Sequence, residues 1–193
     1  LIDGGPGPVE AVKALGERMP FWDRSLDLVV ATHPQEDHIT GLLEVLRRYR
    51  VGQVLVSPVA ARSDLQDRWD AALAQEGTLV VQAAAGQRIP LEEGLALEVL
   101  HPPPRPLAGT TSDLNNNGVV LRLAYGGVSF LFAADIQQEA EGLLAGRGAA
   151  LKSTVLKVPH HGSRTSSSPA FLRAVAPQVA VVQVGDGNPF GHP

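Results

Sequence analysis

The chain has 193 residues, 44% of them hydrophobic, with a net charge of -4 and a pI near 5.8. That length and apolar content suffice for one substantial core and a single domain over residues 1–193. The acidic balance excludes a module that clings to nucleic acid by bulk charge, so any polyanion must be held by a local patch or by metal ions. Cysteine is absent, which excludes disulfides and thiolate metal sites and leaves His, Asp, Glu and Asn as ligands. No run approaches the roughly twenty apolar residues needed to span a bilayer, and the ends at Leu1 and Pro193 read as a piece of a longer protein.

Leu1-Ile2-Asp3-Gly4-Gly5 reads as a strand end followed by a glycine turn, with Asp3 in an Asx-turn. Apolar spacing predicts a helix over 9–19. The aliphatic run 26–31 is a buried strand that delivers Thr32-His33-Pro34-Gln35-Glu36-Asp37-His38 to a sheet edge. Imidazoles and carboxylates so closely spaced on a proline turn can converge on a divalent cation. The alternative is a helix start, with Asp37 as the cap and the histidines facing solvent. A helix over 39–49 follows, carrying Leu42, Leu43, Val45 and Leu46 inward and Arg47, Arg48 and Arg50 towards its C-terminal end. The cluster therefore sits at a helix N-terminus, which favours ionised Asp37 and an anionic substrate.

A short strand at 54–56 precedes a helix over 63–75 with Leu65, Trp69, Ala72 and Leu73 inward. Strands at 79–82 and 95–100 flank a turn at Glu92-Glu93-Gly94, and the alternation of strand and helix gives an α/β class. His101, ahead of three prolines, reads as structural. The loop 105–117 ends in Asn115-Asn116-Asn117-Gly118, ordinarily turn chemistry that tolerates left-handed backbone. Strands 119–124 and 128–133, joined by Tyr125-Gly126-Gly127, make a hairpin. Asp135 follows its second strand, ahead of a helix over 136–144, and is either a ligand or that helix's N-cap. Strand 154–158 delivers Pro159-His160-His161-Gly162-Ser163, and adjacent histidines on a glycine turn are rarely mere packing. Ser168-Pro169 opens a helix. A last strand over 179–184 leads to Gly191-His192-Pro193.

The motif around His33, Asp37 and His38 resembles the H-x-H-x-D-H signature of the metallo-β-lactamase fold, with Gln35 standing where that pattern carries His or Asp. L-I-D-G-G, T-H-P-x-x-D-H, the N-N-N-G turn, F-x-x-x-x-D-I, L-K-V-P-H-H-G-S and G-H-P are similar, in order and over nearly the whole chain, to the competence protein family ComEC/Rec2. The resemblance implies an α/β four-layer αβ/βα sandwich holding two divalent metal ions, manganese or zinc. Metal ligands would be His33, Gln35, Asp37, His38, Asn115, Asp135 and His160, with Asp135 bridging and Asp3 orienting the ligands from behind. Asp37, His161 and His192 would serve catalysis, the last two as contacts to the substrate phosphate or leaving group. The implied activity is a nuclease that degrades the non-imported DNA strand during uptake. The implied partners are single-stranded DNA and a membrane channel outside this chain, with no lipid contact for the chain itself. The place would be a soluble domain of a cell-membrane protein, on the outer face of the cytoplasmic membrane. Two other functions fit the same residues: a stand-alone ester or lactone hydrolase, and a non-catalytic DNA-guiding module left with a weak metal site by the neutral amide of Gln35.

Overall fold

The computed structural model describes residues 1–92, 94–146, 150–185, 188 and 191–192. Glu93 of the expected turn, and Asp186, Gly187, Pro189, Phe190 and Pro193 of the closing stretch, lie outside the described residues. The chain forms two compact units, residues 1–82 and 83–193.

In the first unit, β1 (Ser25–Ala31), β2 (Arg50–Val56) and β3 (Leu79–Gln82) form a parallel sheet in that order. Its helices are α1 (Glu10–Arg18), α2 (Glu36–Arg48) and α3 (Asp64–Glu76). Helix α2 is apolar on two faces. Ile39, Leu42 and Leu46, at helical spacing, pack with Val29, Val54, Trp69 and Leu73, while Val45 and Tyr49 pack with Ala11 of α1. Each aliphatic side chain so buried contributes about 1.5–3 kcal/mol. Ser63 caps α3 by accepting from the Gln66 amide, and Gly77 closes it in the left-handed conformation.

Helix α2 begins three residues earlier than its apolar periodicity predicts, so Glu36, Asp37 and His38 form its first turn. Its N-cap is Gln35, in extended conformation and without a side-chain cap bond, which corrects the reading of Asp37 as cap. Two acids in the first turn meet the positive end of the helix dipole, and that stabilises the start without a cap. Residues 1–3 run beside β1, where Asp3 N–H donates to Val30 O at 2.9 Å. The chain then crosses α2 at closest range, with Gly4 N–H on His38 O at 2.8 Å and Gly41 N–H on Gly5 O at 3.1 Å. A Cβ on Gly4 would collide with the backbone of Gly41 and Leu42, and one on Gly41 with Gly4 O, so only glycine permits the crossing.

The second unit is a six-stranded sheet in the order β4 (Arg88–Glu92), β5 (Leu95–His101), β6 (Val120–Tyr125), β7 (Val128–Phe132), β8 (Val155–Lys157), β9 (Val179–Val181). Pairing is antiparallel from β4 to β7 and parallel from β7 to β9. Helices α4 (Gln138–Gly146) and α5 (Pro169–Val175) cover it, and Leu131, Leu156, Ile136, Ala140, Leu144, Phe171 and Val175 form the core. Strand β4 was not legible because Pro90 interrupts it and its alternation is poor, features a sheet edge tolerates. Strand β9 stops three residues short of the expected 184.

Two readings at strand ends are corrected here. Helix α4 starts at Gln138, so Asp135 is not its cap. The amide oxygen of Asn116 takes that place, accepting from Gln137 N–H at 3.0 Å and Ala140 N–H at 3.3 Å. None of Asn115, Asn116 and Asn117 has left-handed backbone; they form a buried 3-10 turn in which each side chain has its own work. Asn117 fixes the preceding loop by accepting from Leu107 N–H and donating to Leu107 O and Asp113 O. His101 is buried at 1% exposure, with Nε2 2.8 Å from Asn116 O, in the structural role its context suggested.

Candidate functional site

In the first unit the end of β1 and the first turn of α2 bring His33, Gln35, Asp37 and His38 together around Thr32 and Asp3. The Asp3 carboxylate, held by the glycine crossing, accepts from Thr32 N–H (2.8 Å) and Thr32 Oγ1 (2.8 Å) and lies 2.8 Å from His38 Nδ1. Burial pushes the Asp3 carboxyl up, but the charge and hydrogen bond of His38, the Thr32 amide and the nearby His33 more than offset this and hold it below its ordinary value. An ionised Asp3 makes His38 a donor through Nδ1–H; its Nε2, 3.6 Å from Asp37 Oδ2, is an N–H in the imidazolium and a lone pair in the neutral ring.

The same logic fixes His33. Thr32 Oγ1 gives its proton to Asp3, so at 3.0 Å it accepts from His33 Nδ1–H. His33 Nε2 lies 3.0 Å from Gln35 Oε1, to which an imidazolium would donate directly. In the neutral ring Nε2 is a lone pair, and two acceptors at that distance are reconciled by a cation between them or by a turned amide. Both rings are buried, His33 to 1% and His38 to 2% exposure, with centroids 3.9 Å apart.

In the second unit Asp135, His160, His161, Asn115 and His192 are gathered. His161 Nδ1 lies 2.6 Å from Gln183 O and must be protonated, because a carbonyl only accepts. Its Nε2 therefore faces Asp135 Oδ2 at 3.2 Å either as an imidazolium or across a shared cation. Asp135 is 1% exposed. His160 Nδ1 lies 3.1 Å from Thr165 Oγ1 and its Nε2 3.5 Å from Asn115 Nδ2, an arrangement satisfied by Nδ1–H and an Nε2 lone pair. The Asn115 amide oxygen accepts from Ser112 Oγ at 3.0 Å. His192 lies with its ring centroid 6.0 Å from that of His160 and 6.4 Å from that of His161, stacked on the latter at 9°.

Asp3, Ala134, His160 and His161 all take positive φ, between 49° and 53°, which is costly for residues with a Cβ. Strain of that kind persists where surrounding contacts over-determine it, and these four of the six such residues among those described are one candidate ligand, His160, its neighbour His161, the orienting Asp3 and the residue before Asp135. Donor chemistry fits a divalent cation in both units: neutral imidazole Nε2 atoms, buried or half-buried carboxylates and amide oxygens. Sequence reading missed Thr32, Thr165 and Gln183, the partners that set the ring orientations. Only Thr32 carried a signal, lying next to His33; the other two are ordinary loop residues.

One family model, the metallo-beta-lactamase superfamily, matches residues 1–186 and so spans both units. The chain is 30% identical over 187 residues to ComE operon protein 3 of Bacillus subtilis, covering 93% of this chain and 23% of that protein. It is 32% identical over 174 residues to Competence protein ComA of Neisseria gonorrhoeae, covering 88% of this chain and 22% of that one. Among solved structures it is similar to MEM-A1, a subclass B3 metallo-beta-lactamase from a soil metagenome library, with a TM-score of 0.55 and 16% identity, covering 91% of this chain and 80% of that one. The resemblance read from the motifs holds: with its motif residues set at strand ends and a family match over residues 1–186, the chain belongs to the metallo-β-lactamase superfamily and has its fold.

Proposed function

We propose that the chain is a divalent-metal-dependent phosphodiesterase, the nuclease module of a DNA-uptake protein, acting on the strand that is not imported. The observation that carries the metal reading is the shared orientation of His33, His38 and His160: each commits Nδ1 to a hydroxyl or carboxylate, on Thr32, Asp3 and Thr165, so that each neutral ring presents its Nε2 lone pair. Three rings oriented alike are what metal binding requires and what packing alone does not. His33, Gln35, Asp37, His38, Asn115, Asp135 and His160 are the proposed ligands for two ions, manganese or zinc. When bound, such ions acidify water and offset the charge on a phosphodiester. Asp3 orients His38, and His161 and His192 contact the substrate phosphate or leaving group.

The substrate reading rests on the likeness to the two competence proteins. This chain spans less than a quarter of either, so the DNA strand, the membrane channel as partner and the outer face of the membrane belong to the proposal. The experiment is hydrolysis of single-stranded DNA, double-stranded DNA, and ester and lactone substrates, with and without manganese. Manganese-stimulated cleavage of DNA is the expected result. Turnover of esters or lactones alone would replace the nuclease with the small-molecule hydrolase, and metal-free DNA binding without cleavage would replace it with a guiding module.

A further inference from the structure

Beside the histidine turn of the second unit lies an open groove of about 440 Å³, lined by Thr111, Gln137, Gln138, Glu139, Arg164 and Thr165. It shares Thr165 with His160, whose Nδ1 that hydroxyl holds, so the groove begins where the candidate centre ends. Its walls are fastened together. Gln138 N–H donates to Thr165 O at 3.0 Å, Thr111 donates through N–H and Oγ1 to Glu139, and Asn116 Nδ2 donates to Glu139 Oε2 at 3.2 Å. The volume falls within the range of small-ligand sites, about 300–1,000 Å³.

Two groups in it are not explained by the fold. Gln137 is only 6% exposed, yet its Oε1 is a buried acceptor with no hydrogen-bond partner among the described residues. An orphaned buried amide oxygen costs about 1–3 kcal/mol, a cost relieved when a ligand brings a donor. Arg164 is exposed at the groove's rim and offers a planar fork suited to phosphate. Glu139 brings a negative charge, already engaged by Thr111 and Asn116, which directs an anion to the Arg164 side.

We infer that this groove binds the nucleotide flanking the scissile phosphodiester of an unpaired strand, with its phosphate on Arg164 and the donor edge of its base on Gln137. A base paired in a duplex keeps its donor edge turned to its partner and its faces in the stack, so the groove selects single-stranded substrate. The inference rests on the nuclease reading for its substrate, but it is testable apart from it.

The test measures fluorescence anisotropy of short single-stranded oligonucleotides with calcium in place of manganese. In parallel it measures manganese-dependent turnover of an oligonucleotide and of bis(p-nitrophenyl) phosphate, which has no flanking nucleotide. Arg164→Ala should weaken oligonucleotide binding about tenfold and lower the salt dependence by about one charge. Its loss of kcat/KM on the oligonucleotide should exceed that on the small diester by a similar factor, through KM. Gln137→Leu should reduce the preference among homopolymer sequences. Losses of binding in a chain that hydrolyses nothing would support the groove while sinking the nuclease. Variants that bind and cleave as the parent does, or a parent that binds no oligonucleotide, would overturn the groove.

Discussion

Asp3 and Gln35 act on the same cluster in opposite ways, a carboxylate that orients His38 and a neutral amide that faces His33. Imidazole and carboxylate after a strand left a metal loop and a helix start both open, and the resemblance to the family motif singled out His33, Asp37 and His38. Ring orientation was not legible, since it depends on partners such as Gln183, 22 positions from His161. Asp3→Ala removes the acceptor of His38 Nδ1. It should lower metal affinity about 10–100-fold with the helical circular dichroism retained, as loss of an orienting partner does; calorimetric titration with manganese checks this, and unchanged affinity would remove Asp3 from the site. Gln35→Asp or Gln35→His replaces a neutral amide with a stronger donor beside His33 and should raise both manganese affinity and hydrolysis. If neither substitution changes either quantity, Gln35 is not a ligand. Asp135→Ala should abolish metal binding and activity together.

Periodicity carried the elements whose inner face is apolar: α1, α2, α3 and the β6–β7 hairpin all lie where spacing places them. It failed where polar residues begin a helix or a proline interrupts a strand, as at Glu36–His38 and Pro90. Contacts of long sequence separation were also invisible, among them the Gly4–Gly41 crossing that places Asp3. Gly41→Ala should cost at least the 1–3 kcal/mol typical of overpacking, because the clash is with backbone that cannot turn aside; urea unfolding measures it, and wild-type stability would contradict the close approach. At the start of α4, Glu139 is held down to about 2 by the Thr111 hydroxyl and amide and then by Asn116. A depressed carboxyl stabilises the fold above its ordinary value of 4.5, and that contribution fades as pH falls from there towards 2. The group is exposed, so Glu139→Gln should cost under about 1 kcal/mol at neutral pH, and the difference from the parent should shrink as pH drops through that window. A difference independent of pH would contradict this origin.

At the scale of the molecule, alternation of strand and helix placed the chain in the α/β class, and the ordered motifs placed it in its superfamily. The division into two compact units was not legible, because the family motifs are spread over both and no composition shift marks residue 82. Among the described residues no helix is long and apolar enough to cross a membrane, and the chain spans less than a quarter of either competence-protein relative. The central claim is that these donors hold divalent metal for hydrolysis. Elemental analysis of the chain after equilibration with manganese or zinc and removal of free ions, paired with cleavage of single-stranded DNA by the same sample, tests it most directly. Up to two ions per chain are expected, lost together with cleavage on chelation and in Asp135→Ala. A chain that retains no metal, or that cleaves DNA equally well after complete chelation, would contradict it.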